Sequence, residues 1–121
     1  MTKTVLTIDD SRTMRDMLRM ALTDAGFNVL QAEDGVHGLE VLAGSNPDVI
    51  VTDINMPRMD GFGVIEAVRK EQRYRNIPVL VLTTESDQAK KAKAKAAGAT
   101  GWIVKPFEPE KLVAAIRRVS A

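Results

Sequence analysis

The sequence predicts an α/β fold, (βα)5: an open parallel five-stranded sheet with helices on both faces. Two observations carry this. Short apolar runs rich in β-branched residues alternate five times with longer segments whose apolar residues recur at three- and four-residue steps. The first, third, fourth and fifth runs are apolar at consecutive positions, as strands covered by helices on both sides are.

The first run, Val5 to Ile8, stops at Asp9-Asp10. A helical period follows from Ser11 through Met14, Met17, Leu18, Ala21, Leu22 and Ala25, with Gly26 at the C-cap and Ser11 a plausible N-cap. Met14, Met17 and Met20 are expected to fill core. Asn28 to Ala32 is a second, weaker strand. After the Asp34-Gly35 turn, Val36, Leu39, Leu42 and Ala43 mark a short helix closed by Gly44-Ser45-Asn46-Pro47. Its His37 has no ligand cluster around it and is assigned no role. Val49-Ile50-Val51 leads to Thr52-Asp53. Beyond the loop from Asn55 to Gly61, where Asp60 can cap, Phe62, Ile65 and Val68 form a third helical face. Pro78 to Leu82 is the fourth strand, ending at Thr83-Thr84. Residues from about Ser86 to Ala97 form a thin helix of alanines and lysines stopped at Gly98. Its apolar stripe is Ala89, Ala92, Ala96 and Ala97. Trp102-Ile103-Val104 runs into Lys105-Pro106. Pro109 opens a last helix with Leu112, Val113, Ile116 and Val119 on its apolar face.

A chain of 121 residues suits one domain, 1–121. The 17 basic and 16 acidic residues nearly balance, which argues against a dedicated nucleic-acid binder. Absence of cysteine excludes disulfides, thiolate metal sites and cysteine nucleophiles. The N-terminus lacks the apolar stretch of a signal peptide and nothing reaches the length of a membrane span, so a cytoplasmic protein with no membrane contact is expected.

Ligands of open parallel sheets bind at the C-terminal ends of the strands. Here those ends carry Asp9-Asp10, Asp53, Thr83-Thr84 and Lys105. Three carboxylates brought together repel one another and need a cation or a raised pKa. Hard oxygen ligands suit Mg²⁺, which takes one or two carboxylates plus phosphate oxygens. Thr83 as hydrogen-bond donor and Lys105 as point charge complete a cradle for a phosphoryl group, and a backbone carbonyl after Asp53 can supply another metal ligand.

These residues give the chain its resemblance to response-regulator receiver domains, over its whole length. The matching runs are Ile8-Asp9-Asp10-Ser11, Thr52-Asp53-Ile54-Asn55-Met56-Pro57 with Asp60-Gly61, Leu82-Thr83-Thr84 and Lys105-Pro106-Phe107. The resemblance implies the flavodoxin-like, doubly wound receiver fold. It implies that Asp53 takes a phosphoryl group from a phosphohistidine of a sensor histidine kinase. It implies that Asp10, Asp53 and the backbone carbonyl of Asn55 bind Mg²⁺, with Asp9 acting through water. Lys105 then pairs with Asp53 and later with the phosphoryl oxygens, Thr83 swings toward that group, and Asn55 and Glu85 tune hydrolysis. A cis Lys105-Pro106 peptide is implied as well. Such a domain catalyses only its own phosphorylation and dephosphorylation. Trp102 departs from the pattern, standing where the family has Tyr or Phe as the aromatic of the switch. Its indole is larger and places its donor elsewhere, so a switch and a packed sheet-edge residue both remain open.

The stretches Asp9 to Arg15 and Gly101 to Phe107 resemble CheY-type chemotaxis regulators. That likeness implies a chemotaxis kinase, CheA, as donor and the flagellar motor switch as receiver of the signal. The expected molecule is a monomer without an output domain, signalling through its fourth helix, fifth strand and fifth helix. Lys90, Lys91, Lys93 and Lys95 there are either a solvated face or a docking surface for an acidic segment. A phosphorelay intermediate, or a phosphate sink on a shared kinase, is the alternative. A haloacid-dehalogenase-type phosphatase needs a second Asp two residues after the nucleophile, where Asn55 stands. Neither GxxxxGK[ST] nor GxGxxG occurs, which removes P-loop and dinucleotide-binding readings.

Overall fold

The computed structural model of the chain describes residues 2–121. Its strands are β1 (Thr4–Ile8), β2 (Asn28–Ala32), β3 (Val49–Thr52), β4 (Val79–Thr83) and β5 (Gly101–Val104). Between and after them come α1 (Arg12–Asp24), α2 (Gly35–Ala43), α3 (Gly61–Lys70), α4 (Gln88–Ala97) and α5 (Pro109–Val119), with one 3-10 turn at Gln72–Tyr74. All strand pairs are parallel, in the order β2-β1-β3-β4-β5.

Consecutive apolar residues in the strands feed two separate cores, because side chains alternate across a sheet. Leu6, Ile8, Ile50, Val79 and Val81 pack with Leu42, Val64, Ile65, Val68 and Ala94 beneath α2, α3 and α4. Val5, Val49, Val51, Leu80 and Leu82 pack with Leu18, Leu22, Leu112 and Ile116 beneath α1 and α5. Each fully buried aliphatic side chain contributes about 1.5–3 kcal/mol from its removal from water.

Local chemistry sets the helix starts. Ser11, Asp34, Asp60 and Asp87 each accept a backbone N–H of the first turn of α1, α2, α3 and α4. Asp87 therefore starts α4 at Gln88 rather than near Ser86. Asp34 is likewise a cap rather than only a turn residue. Gly26 (φ 94°) and Gly98 (φ 114°) close α1 and α4 in the left-handed region.

Three expectations need correction. Met17 and Met20 are 49% and 68% exposed, and only Met14 packs at the core's edge. At about 100° per residue, steps of three drift steadily around a helix away from the buried Leu18–Leu22 line. In α4 the buried residue is Ala94, with Ala97 half-buried, while Ala89, Ala92 and Ala96 are exposed. Lys90 and Lys91 share the inner side with Ala94 and are half-buried. Finally, β5 is not covered like the central strands: it is the sheet edge, and Val104 is exposed.

Candidate functional site

Strand register assembles the site. Ile8 pairs with Thr52, so Asp9 and Asp53 leave adjacent strand ends together, and the Asp53 N–H donates to the Ile8 carbonyl at 2.9 Å. Thr83 pairs with Val104, and the Lys105 N–H donates to the Thr83 carbonyl at 2.8 Å. From β5 the Lys105 side chain reaches across the end of β4. Its ammonium donates to Asp9 Oδ2 at 2.7 Å and to Asp53 Oδ2 at 2.9 Å. The Lys105-Pro106 peptide is cis.

Each carboxylate is held from a second side. Asp9, 2% exposed, accepts the Ser11 N–H on Oδ1 at 2.9 Å. Its carbonyl accepts from Arg15 Nη1 at 2.8 Å. Asp53 Oδ1 accepts the Ile54 N–H at 2.7 Å. Asp10 is exposed and forms no ion pair among the described residues.

Asp9, Asp10 and Asp53 each offer a carboxylate oxygen, all within 4.8 Å of one another. One ammonium against three carboxylates leaves two negative charges, matching a divalent cation. Oxygen donors of this kind, with Asp10 open to water, fit Mg²⁺. Burial by itself pushes the Lys105 ammonium down; the hydrogen bonds to Asp9 and Asp53 outweigh it and hold the group above its ordinary value. Lys105 is thus a fixed positive charge at neutral pH.

A second layer surrounds this centre. Asn55 Nδ2 donates to Glu85 Oε1 at 3.0 Å, and Lys90 Nζ lies 3.1 Å from the same oxygen. The Asn55 hydrogen bond, then that of Lys90, draws the Glu85 carboxyl below its usual range. The Glu85 N–H reaches the buried Thr83 hydroxyl at 3.4 Å. Its carbonyl accepts the Trp102 indole N–H at 3.0 Å. The structure thus brings Asp9, Asp53 and Lys105 into direct contact, with Asp10 beside them. Asn55, Thr83, Glu85 and Trp102 form one hydrogen-bonded group along the same edge of the sheet.

Sequence reasoning anticipated Lys105 against Asp53 but not its bond to Asp9. It also missed two arginines. Arg58 forms a two-pronged pair with Asp34, through Nε at 2.8 Å and Nη2 at 3.0 Å. Arg69 donates to the carbonyls of Gly98, Arg75 and Ile77, with burial lowering its pKa. Lys90 appeared only as one of four helix lysines. Arg58 and Asp34 lie 24 residues apart and Arg69 and Gly98 lie 29 apart, and no local pattern marks such pairs.

The family of response regulator receiver domains matches residues 5–117. Chemotaxis protein CheY1 of Helicobacter pylori is 41% identical over 110 residues, covering 89% of each chain. The structure of Vibrio cholerae chemotaxis protein CheY4 superposes with a TM-score of 0.94 at 45% identity, covering 98% of this chain and 99% of that one. The sensor histidine kinase CheAY of Helicobacter pylori contains a stretch 36% identical over 116 residues, covering 94% of this chain and 14% of the kinase. The chain belongs to the response regulator receiver domain family. Its fold is the flavodoxin-like fold of CheY proteins, and its likeness to them is to the CheY type of chemotaxis receiver. Receiver domains bind Mg²⁺, and the three-aspartate cluster is where these residues would hold it.

Proposed function

We propose that the protein is a phosphorylation-activated switch in which Asp53 accepts a phosphoryl group from a phosphohistidine on a sensor histidine kinase. The observation that carries this is Lys105 Nζ bridging Asp9 and Asp53 beside Asp10. The Ile54 N–H and Lys105 fix the Asp53 carboxylate from its two oxygens, so the nucleophile is oriented before the donor arrives. One carboxylate oxygen forms the new O–P bond as the donor's P–N bond breaks and its imidazole leaves. Lys105 then follows the charge, pairing with phosphoryl oxygens in place of the carboxylate. Asp10, Asp53 and the Asn55 backbone carbonyl would hold Mg²⁺, with Asp9 acting through water, and the ion would supply further charge neutralisation on those oxygens. Thr83 turns its hydroxyl toward the acyl phosphate, and this rearranges Glu85. Water hydrolyses the acyl phosphate at the same site, with Asn55 and Glu85 at its rim setting the rate. The protein catalyses its own phosphorylation and dephosphorylation and no other reaction.

The donor we propose is a chemotaxis kinase of the CheA type; a kinase carrying a similar receiver stretch supports that choice. The flagellar motor switch is the proposed receiver of the signal. A groove of about 270 Å³ between α4 and β5, lined by Lys91, Ala94, Lys95 and Trp102, offers an apolar floor with a basic rim for an acidic, amphipathic segment. The protein acts as a cytoplasmic monomer; no helix among the described residues is long and apolar enough to cross a membrane.

The test is intact mass after incubation with Mg²⁺ and acetyl phosphate, for the native protein and Asp53→Asn. One added phosphoryl group, absent without Mg²⁺ and in the variant, is the expected result. No addition from acetyl phosphate or from phosphorylated kinase overturns the reading. Equal binding of both forms to a motor-switch peptide would instead favour a phosphorelay intermediate or phosphate sink.

A further inference from the structure

The loop between Asp53 and α3 is fastened at three points. At its base, the Gly61 N–H donates to the Ile54 carbonyl at 2.8 Å, and a Cβ on Gly61 would collide with the Asp53 carbonyl. At its far end, the Gly35 N–H donates to the Met59 carbonyl at 3.2 Å, and a Cβ on Gly35 would lie 2.5 Å from that oxygen. Between these sits Arg58, whose guanidinium clasps the buried Asp34 carboxylate through both prongs.

The backbone at Arg58 is unusual. Its φ is 65°, the left-handed region that non-glycine residues avoid. The Met59 N–H donates to the Pro57 carbonyl at 2.7 Å, closing a three-residue γ-type turn around Arg58. Such turns are rare and strained, and strained residues persist only where their surroundings over-determine them. Here the Asp34 pair holds the Arg58 side chain, and the Gly35–Met59 hydrogen bond holds the backbone just beyond it.

Asp34 is itself rigid. Its Oδ1 also caps α2 by accepting the His37 N–H at 2.9 Å. It follows β2 by two residues, and the last residue of β2, Ala32, accepts the Asp9 N–H at 3.1 Å. The pair therefore ties the loop after Asp53 to the strand end beside Asp9.

We propose that Arg58 and Asp34 are positioning residues for the phosphorylation site: their pair straps loop 54–60, which carries Asn55, to the β2–α2 corner and so sets the loop's place beside Asp53. This rests on the metal-dependent phosphorylation proposed above. Neither residue belongs to the three-aspartate cluster. They act at a distance, as outer partners do for metal ligands.

The experiment compares the native protein with Arg58→Ala, Asp34→Asn, both together, and Arg58→Gly. Mg²⁺ affinity is measured by titration calorimetry, phosphorylation rate with acetyl phosphate, and stability by urea unfolding without metal. Asn caps a helix as well as Asp, so Asp34→Asn keeps α2. Each single change should weaken Mg²⁺ binding about tenfold, and the double variant no further. Arg58→Gly separates the strap from the fold: glycine accepts the positive φ, so stability should match or exceed that of Arg58→Ala while Mg²⁺ binding stays weak. Native affinity in Arg58→Ala and Asp34→Asn, or recovered affinity in Arg58→Gly, would overturn the strap. If the native protein itself neither binds Mg²⁺ nor takes a phosphoryl group, the underlying reading has failed instead.

Discussion

The indole N–H of Trp102 on β5 donates to the backbone carbonyl of Glu85, two residues beyond the end of β4, at 3.0 Å. Glu85 is also where the Asn55 amide and the Lys90 ammonium meet. One residue therefore joins the rim of the aspartate cluster to the start of α4 and to the edge strand. Trp102 is thereby bound to the β4–α4 loop. Trp102→Phe removes this bond and keeps an aromatic ring. It should cost about 1 kcal/mol in urea unfolding, with faster hydrogen exchange confined to residues 84–87. Unchanged exchange in that loop would show that the indole does not restrain it.

Lys105 sits between two carboxylates with its side chain 9% exposed. Lys105→Met leaves those charges facing one another. Removing one partner of a buried ion pair costs about 3–5 kcal/mol, so a loss near that size is expected without metal. Added Mg²⁺ should restore stability to the variant more than to the native protein, because the uncompensated carboxylates bind it more tightly. Thermal melts with and without Mg²⁺ test this. In the native protein the raised Lys105 pKa contributes stability that is fully present below the ordinary lysine value. That contribution is lost only as pH rises through the folded value, so it should be constant from pH 6 to 9.

Asp34 has the opposite sign. The Arg58 hydrogen bonds, then the His37 N–H, hold its carboxyl below the ordinary 3.8. Its stabilisation is fully present above the unfolded value and lost as pH falls through the lowered folded one. Asp34→Asn should therefore show a flatter stability profile than the native protein below about pH 4. Parallel acid profiles for the two would exclude Asp34 as a contributor.

Gly61 and Gly44 should respond oppositely to alanine. At Gly61 a Cβ meets the Asp53 carbonyl and lies 2.9 Å from the Ile54 Cα, both backbone atoms that cannot yield alone. Gly61→Ala should cost about 1–3 kcal/mol and slow phosphorylation of Asp53. At Gly44 the nearest heavy atom is 4.0 Å away and φ is −101°. Gly44→Ala should be neutral or stabilise by up to about 1 kcal/mol through the unfolded chain. Urea midpoints for the two variants decide the matter.

The fold was legible in the sequence because its signals are local. Alternating apolar runs, caps at Ser11 and Asp60, and glycine stops at Gly26 and Gly98 each depend on a few neighbouring residues. The aspartates, Thr83 and Lys105 were legible for a related reason. In a parallel sheet every strand end lies on one edge, so polar residues that terminate apolar runs must converge. Helix faces were read less well where the pattern was weak. Methionines at three-residue steps and an alanine helix do not define an angle: packing buries Leu18 and Leu22 of the expected α1 face but leaves Met17 and Met20 exposed, and in α4 it buries Ala94.

Only the tertiary structure decided the partners. Lys105 reaches Asp9 across 96 residues as well as Asp53, Arg58 clasps Asp34 across 24, and Trp102 bonds to Glu85 across 17. Long polar side chains have many rotamers, and which carbonyl or carboxylate they meet depends on where separate elements dock. The sequence alone determined the residues that reach the C-terminal edge of the sheet. Docking of strands, loops and helices determined which of them touch, because hydrogen bonds hold over about 3 Å and chain connectivity does not fix distances that short between distant segments.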